Sequence, residues 1–197
     1  MKLILASRSA ARRSMLEAAG VPFDAIRAEL DEDEAKARLW AAGCDARDLA
    51  QQLARLKALS VAADAGNLVL GSDQTLERDD GTILSKPASR EEAWGQLTSL
   101  RGGTHRLHSA GAIAEEGEIV WAGAETVTLT MRQFTDAFLE AYLDLEYEAI
   151  RGSVGCYRIE GPGVQLFKSI AGSHFAILGM PLLPLLAYLR EREVIGV

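Results

Sequence analysis

The chain opens on an unbroken apolar run, Leu3-Ile4-Leu5-Ala6, the pattern of a strand covered on both faces, and a strand is expected over 2–6. Polar residues then take over. Ser9 is placed to cap a helix over 10–19 that Gly20 closes. Residues 30–34 read as an acidic loop. Asp45 can cap a longer helix, with Leu49, Leu53, Leu56 and Ala63 at helical spacing, running to about 65 and ended by Gly66. A second buried strand over 67–76 carries Gly71-Ser72-Asp73-Gln74, and Asp79-Asp80-Gly81 turns into a short strand over 82–84. Ser89-Arg90-Glu91-Glu92 has the spacing of a capping box, opening a helix to about 100 before Gly102-Gly103. Strands over 104–114 and 118–131 flank a Glu116-Gly117 turn. Thr135 or Asp136 caps a helix to about 145. Gly161-Pro162-Gly163 is a loop, segments 164–170 and 175–178 are expected to pair as a hairpin, and Pro181 opens a last helix to about 193. The alternation is mixed rather than strictly βαβ, so a mixed sheet is expected.

Composition narrows the function classes. At 197 residues with 48% hydrophobic positions, the chain is expected to form one domain, 1–197, of one or two lobes. Its formal net charge of −7 argues against non-specific nucleic-acid binding or an anionic membrane surface. It does not argue against a small phosphate ligand, which a few local cations or a divalent metal suffice to hold. Cys44 and Cys156 have no metal-ligand spacing, and a reducing cytoplasm is expected. Arg8, Arg12 and Arg13 interrupt the first apolar run too soon for a signal peptide. The apolar stretch 179–189 is too short to span a bilayer.

The candidate chemistry begins where the first strand meets the first helix. A helix N-terminus offers unpaired N–H groups and positive dipole charge, and Ser7, Ser9, Arg12 and Arg13 add hydroxyls and guanidinium forks. The same residues also read as a capped, solvated helix start. Asp73, expected near a strand end, suits a divalent metal or a general base toward water, and equally a polar turn. The run Asp31, Glu32, Asp33, Glu34 reads as a solvated loop, or as a ligand set with Asp73 for magnesium or manganese. Lys57 borders the apolar helix face and either snorkels or meets phosphate. Lys86, in Ser85-Lys86-Pro87, follows a strand ahead of a rigid turn. His105, His108 and His174 have no paired spacing and read as structural. No Walker motif, nucleophile elbow or dinucleotide fingerprint is present.

Taken in order, six segments resemble the Maf family of nucleoside triphosphate pyrophosphatases. They are Leu5-Ala6-Ser7-Arg8-Ser9-Ala10-Ala11-Arg12-Arg13, Gly71-Ser72-Asp73-Gln74, Lys86-Pro87, Leu100-Arg101-Gly102-Gly103-Thr104-His105, Gly155-Cys156-Tyr157-Arg158-Ile159-Glu160-Gly161 and Gly179-Met180-Pro181-Leu182. Ala10 departs from the proline usual there, which pre-sets the first helical turn. The resemblance implies an elongated α/β fold with a mixed sheet, flanking helices and two lobes around a cleft, related to the inosine triphosphatase type. It implies hydrolysis of a nucleoside triphosphate between the α and β phosphates, a divalent cation such as Mg or Mn, and a homodimer. It assigns Asp73 as general base, Ser7, Arg12, Arg13, Lys57 and Lys86 as triphosphate contacts, and Glu32 with Asp73 as metal ligands.

The resemblance also bears on the base. Gln74 and Glu160 match the branch similar to 7-methyl-GTP pyrophosphatases; the branch acting on dTTP and UTP carries Thr and Gln at these positions. An ionised glutamate offers only acceptors, which suit the adjacent N1–H and 2-amino donors of guanine and repel the carbonyls of uracil and thymine. Ala11 departs from the tryptophan frequent in the first branch, forgoing a cation–π stack of about 0.5–2 kcal/mol. A third reading, from another class, is a non-catalytic nucleotide-binding regulator of septum formation.

Overall fold

The opening apolar run forms β1 (Leu3–Ala6), with all four residues buried. In the computed structural model, which describes residues 2–196, its side chains alternate between two cores. Leu3 and Leu5 join Met15, Leu16, Leu68, Leu70 and Leu185 on one side, while Ile4 and Ala6 join Ala50, Ala54, Ala58 and Val69 on the other. Such two-sided burial is why the run reads as continuous rather than alternating. β1 is followed by α1 (Ala10–Ala18), β2 (Phe23–Ile26), α2 (Glu32–Ala41), α3 (Ala46–Leu59) and β3 (Leu68–Arg78). Next come β4 (Ile83–Leu84), α4 (Arg90–Leu100), β5 (Thr104–Glu115), β6 (Glu118–Met131) and α5 (Asp136–Ile150), and then two 3₁₀ turns, β7 (Phe167–Ala171), α6 (His174–Ile177) and α7 (Leu182–Glu191). The strands make one mixed sheet in the order β2-β1-β3-β5-β6-β7, with β4 paired to β3. β1 runs parallel to both β2 and β3; β4 is antiparallel to β3, and β7 to β6.

Several elements differ from the sequence expectation, each for a local reason. Of the acidic segment 30–34, expected as a loop, only Leu30 and Asp31 lie outside a helix. Asp31 caps α2 by accepting from the N–H groups of Asp33 (3.1 Å) and Glu34 (3.0 Å), and Glu32, Asp33 and Glu34 lie in the first turn, where negative charge suits the dipole. α3 stops at Leu59 rather than near 65, because Ser60 donates its Oγ back to the Lys57 carbonyl and ends the ladder; Ala63 is exposed. α5 continues to Ile150. The expected hairpin of 164–170 with 175–178 does not form. Residues 162–166 are a 3₁₀ turn, β7 pairs with β6, and 174–177 are helical. β2, short and largely exposed, was not foreseen because it lacks an apolar run.

Contacts divide the chain into two compact units, one of residues 1–74, 108–125 and 173–197, the other of 75–107 and 126–172. The second has an aromatic core of its own. His105 is fully buried, its Nε2 lies 2.7 Å from the Tyr157 hydroxyl, and Phe167 packs edge-on against Tyr157. Burial pushes the His105 imidazole from 6.5 down to about 4. A pKa below the unfolded value means that the unfolded chain takes up a proton first as the pH falls. Stability is therefore full above pH 6.5 and is lost as the pH drops through 4, by about 3 kcal/mol in total. Urea midpoints measured across this window should fall more steeply for the parent protein than for His105→Gln; identical slopes would remove His105 from the acid response.

Candidate active site

The motif Gly71-Ser72-Asp73-Gln74 lies within β3, and its alternation sends successive side chains to opposite faces. Asp73 was expected near a strand end. It lies instead mid-strand, but beyond the point where the parallel pairing with β1 ends at Leu5 and Leu70. On its face lies α3, and the approach is close. A Cβ added to Gly71 would sit 2.1 Å from the Ala54 carbonyl oxygen and 2.4 Å from the Ala58 nitrogen, so only glycine lets the helix backbone rest on the strand. Ala50, Ala54 and Ala58 form the matching small-residue ridge, one residue every four.

That docking sets Lys57. It does not border the apolar face; it is in the buried row, with Leu53, Ala54 and Ala58, and is only 5% exposed. Its Nζ lies 2.6 Å from Asp73 Oδ1 and 3.1 Å from Glu32 Oε2. Asp73 is 6% exposed, and its second oxygen, Oδ2, is buried without a hydrogen-bond partner. A buried anionic oxygen left unpartnered is costly, and marks a place where water, a cation or substrate completes the set.

The other face of the motif holds Arg12. Ser9 caps α1 as expected, accepting from the Arg12 N–H, and Ser7 Oγ accepts from the Ser9 N–H at 3.2 Å. The Arg12 Nε donates to the Gly179 carbonyl at 2.9 Å. Ser72 Oγ donates within 2.8 Å of that same carbonyl and of the Ala110 carbonyl. Gly179 has φ +100°, a conformation that disfavours side chains. Burial lowers the pKa of the Arg12 guanidinium, while the charges of Asp73 and Glu32 act in the opposite direction. An arginine stays cationic under such conditions. Two cations and two carboxylates thus balance within one unit. Gln74 Nε2 is held by Ser109 Oγ (2.9 Å) and by the carbonyls of Ala176 (2.9 Å) and Ile177 (3.0 Å).

The remaining expected residues are exposed or half-buried. Arg13, one position on from Arg12 and so about 100° around α1, is exposed. Ala11 is half-buried on α1. Lys86 and Glu160 are exposed and belong to the second unit. There Gln96 links their two loops, donating to the Ser85 carbonyl at 3.0 Å and accepting from Cys156 Sγ at 3.3 Å. Sequence reasoning alone gives Ser72, Ser109 and Gly179 no role in the site. Gly179 stands in a recognisable Gly-Met-Pro segment, but nothing local shows that its carbonyl meets a residue 167 positions away.

Magnesium and manganese take one or two protein carboxylates with waters and phosphate oxygens. Asp73, with Oδ2 unpartnered, and Glu32, sharing Lys57 with it, are donors of that kind. Among the described residues no group of three or more His, Cys, Asp or Glu is gathered for a metal. The two carboxylates fit a hard cation that completes its shell with water and substrate oxygens. Among the described residues, no helix is long and apolar enough to cross a membrane.

A family model described as Maf-like protein matches residues 2–192. The nucleoside triphosphate pyrophosphatase of Caulobacter vibrioides is 46% identical over 186 residues, covering 94% of this chain and 93% of that protein. The one from Granulibacter bethesdensis is 47% identical over 198 residues, covering 100% of both. That from Sphingopyxis alaskensis is 44% identical over 191 residues, covering 96% of both. Among solved structures, a HAM1 protein from Coxiella burnetii aligns with a TM-score of 0.42 at 15% identity, covering 66% of this chain and 73% of that one.

Proposed function

This chain belongs to the Maf family of nucleoside triphosphate pyrophosphatases, and we propose that its substrate is a guanine nucleotide of the 7-methyl-GTP type. The bond broken is the one between the α and β phosphates, releasing nucleoside monophosphate and pyrophosphate. The observation that carries the catalytic reading is the Lys57–Asp73–Glu32 cluster, with Asp73 Oδ2 buried and unpartnered. In this reading Oδ2 takes the proton of the attacking water, and Lys57 holds Asp73 in place through Oδ1. Arg12, Ser7 and the α1 N-terminus take phosphate oxygens, with Lys86 and Arg13 as further cationic contacts. A magnesium or manganese ion, held by Asp73 and Glu32, would neutralise the triphosphate.

The base preference rests on Glu160, whose acceptors complement the guanine edge. The test is pyrophosphate release from a panel of 7-methyl-GTP, GTP, UTP and dTTP with magnesium or manganese. Turnover of UTP and dTTP without 7-methyl-GTP would sink the guanine reading in favour of a dTTP/UTP enzyme. No release from any of them would favour the non-catalytic regulator. Glu160→Gln should shift kcat/KM away from guanine nucleotides by about 10-fold or more, as expected when a paired donor–acceptor edge is mismatched; unchanged selectivity would refute the carboxylate argument. The same reading makes the protein a homodimer, which light scattering would check.

A further inference from the structure

Gln74 matches a position that differs between family branches, which invites the view that it reads the base. Its contacts suggest another role. The two hydrogens of Nε2 face three protein acceptors: Ser109 Oγ and the carbonyls of Ala176 and Ile177. Ser109 in turn donates to the Ala176 carbonyl at 2.5 Å. These carbonyls belong to α6, a helix of four residues. So short a helix has little stability of its own, and its shape depends on the side chains that satisfy it. The Ala176 carbonyl also accepts from the Gly179 N–H at 3.1 Å, and the Gly179 carbonyl receives Arg12 Nε and Ser72 Oγ. A continuous set of hydrogen bonds therefore runs from Gln74 and Ser109, through the 176–179 turn, to the guanidinium of Arg12.

We propose that Gln74 and Ser109 are positioning residues for Arg12: they set the turn whose Gly179 carbonyl orients the guanidinium toward phosphate. The Nε2 group of Gln74 thus acts on the triphosphate end of the substrate. This rests on the reading of Arg12 as a phosphate contact.

The probe is inorganic triphosphate, titrated calorimetrically with magnesium into the parent protein, Gln74→Met, Arg12→Ala and the double variant. Methionine keeps the length of glutamine and removes its donors. Gln74→Met should weaken binding by about 10-fold alone but by less than about 2-fold in the Arg12→Ala background, since coupled residues do not add. Its kcat/KM should fall by one common factor for GTP, 7-methyl-GTP and UTP. Ser109→Ala should repeat the pattern with a smaller loss, and serves if Gln74→Met does not fold. Additive losses, a loss that differs among bases, unchanged affinity in both variants, or no triphosphate binding by the parent protein would each overturn the proposal. If no nucleotide is hydrolysed but the triphosphate cycle is coupled, the catalytic reading fails and this one stands. If hydrolysis is normal and the cycle is additive, the reverse holds.

Discussion

Asp73→Asn is expected to lower kcat by about 10²-fold or more while leaving the protein folded, the size of effect that follows loss of a positioned general base. Asparagine preserves the volume of the side chain within β3, and its Oδ1 can still accept from Lys57, which keeps Glu32 at 3.1 Å as a charged partner. What disappears is the negative charge and the buried, unpartnered Oδ2 acceptor. The change should therefore appear in turnover of the best substrate of the panel far more than in the melting curve. Near-full kcat would remove Asp73 from the chemical step. Lys57→Met makes the contrast. It strands the Asp73 carboxylate in a buried setting, and breaking a buried pair from one side costs about 3–5 kcal/mol, so its loss should appear in stability as well as in rate.

Gly71→Ala is expected to destabilise the protein by about 3 kcal/mol, the upper part of the usual range for overpacking. The added methyl would meet the Ala54 carbonyl and the Ala58 nitrogen at 2.1 and 2.4 Å. Both are backbone atoms, so no rotamer change relieves the clash, and α3 must move away from β3. Because α3 carries Lys57, the same shift loosens the Lys57–Asp73 contact and should lower kcat in whatever fraction remains folded. Gly95→Ala is the control. It lies inside α4 with nothing within 4 Å of the added carbon, and should be neutral or stabilising by up to about 1 kcal/mol. Urea denaturation of the two variants side by side decides the matter. A Gly71→Ala midpoint equal to that of the parent would mean that the helix does not rest on the strand at this point.

β1, the Ser9 cap, the Ser89 cap and the turn at Glu116-Gly117 were readable because their determinants are neighbours in the chain. Four acids at 31–34 look equally like a solvated loop and a dipole-matched helix start; only the Asp31 side chain turning onto the Asp33 and Glu34 N–H groups separates the two. The short apolar run at 175–178 has no period of its own, so its sequence does not separate a strand from the helix that forms over 174–177. The sequence puts Lys57 at the border of its helix face, where a lysine ordinarily snorkels, because the partner that holds it buried is on another element.

What the sequence determined by itself was therefore the local grammar and the chemical inventory: a mixed α/β chain, a capped helix directly after a buried strand, and a motif set that specifies the family. The tertiary structure decided how the inventory is divided. β3 sends Asp73 toward Lys57 on α3 and sends Ser72 and Gln74 toward the 176–179 turn, and that turn, not the helix start alone, holds Arg12. Sequence spacing encodes which face of an element a residue occupies. It does not encode what packs on that face, because such contacts join residues up to 167 positions apart and exist only once the strands are paired and both cores are closed.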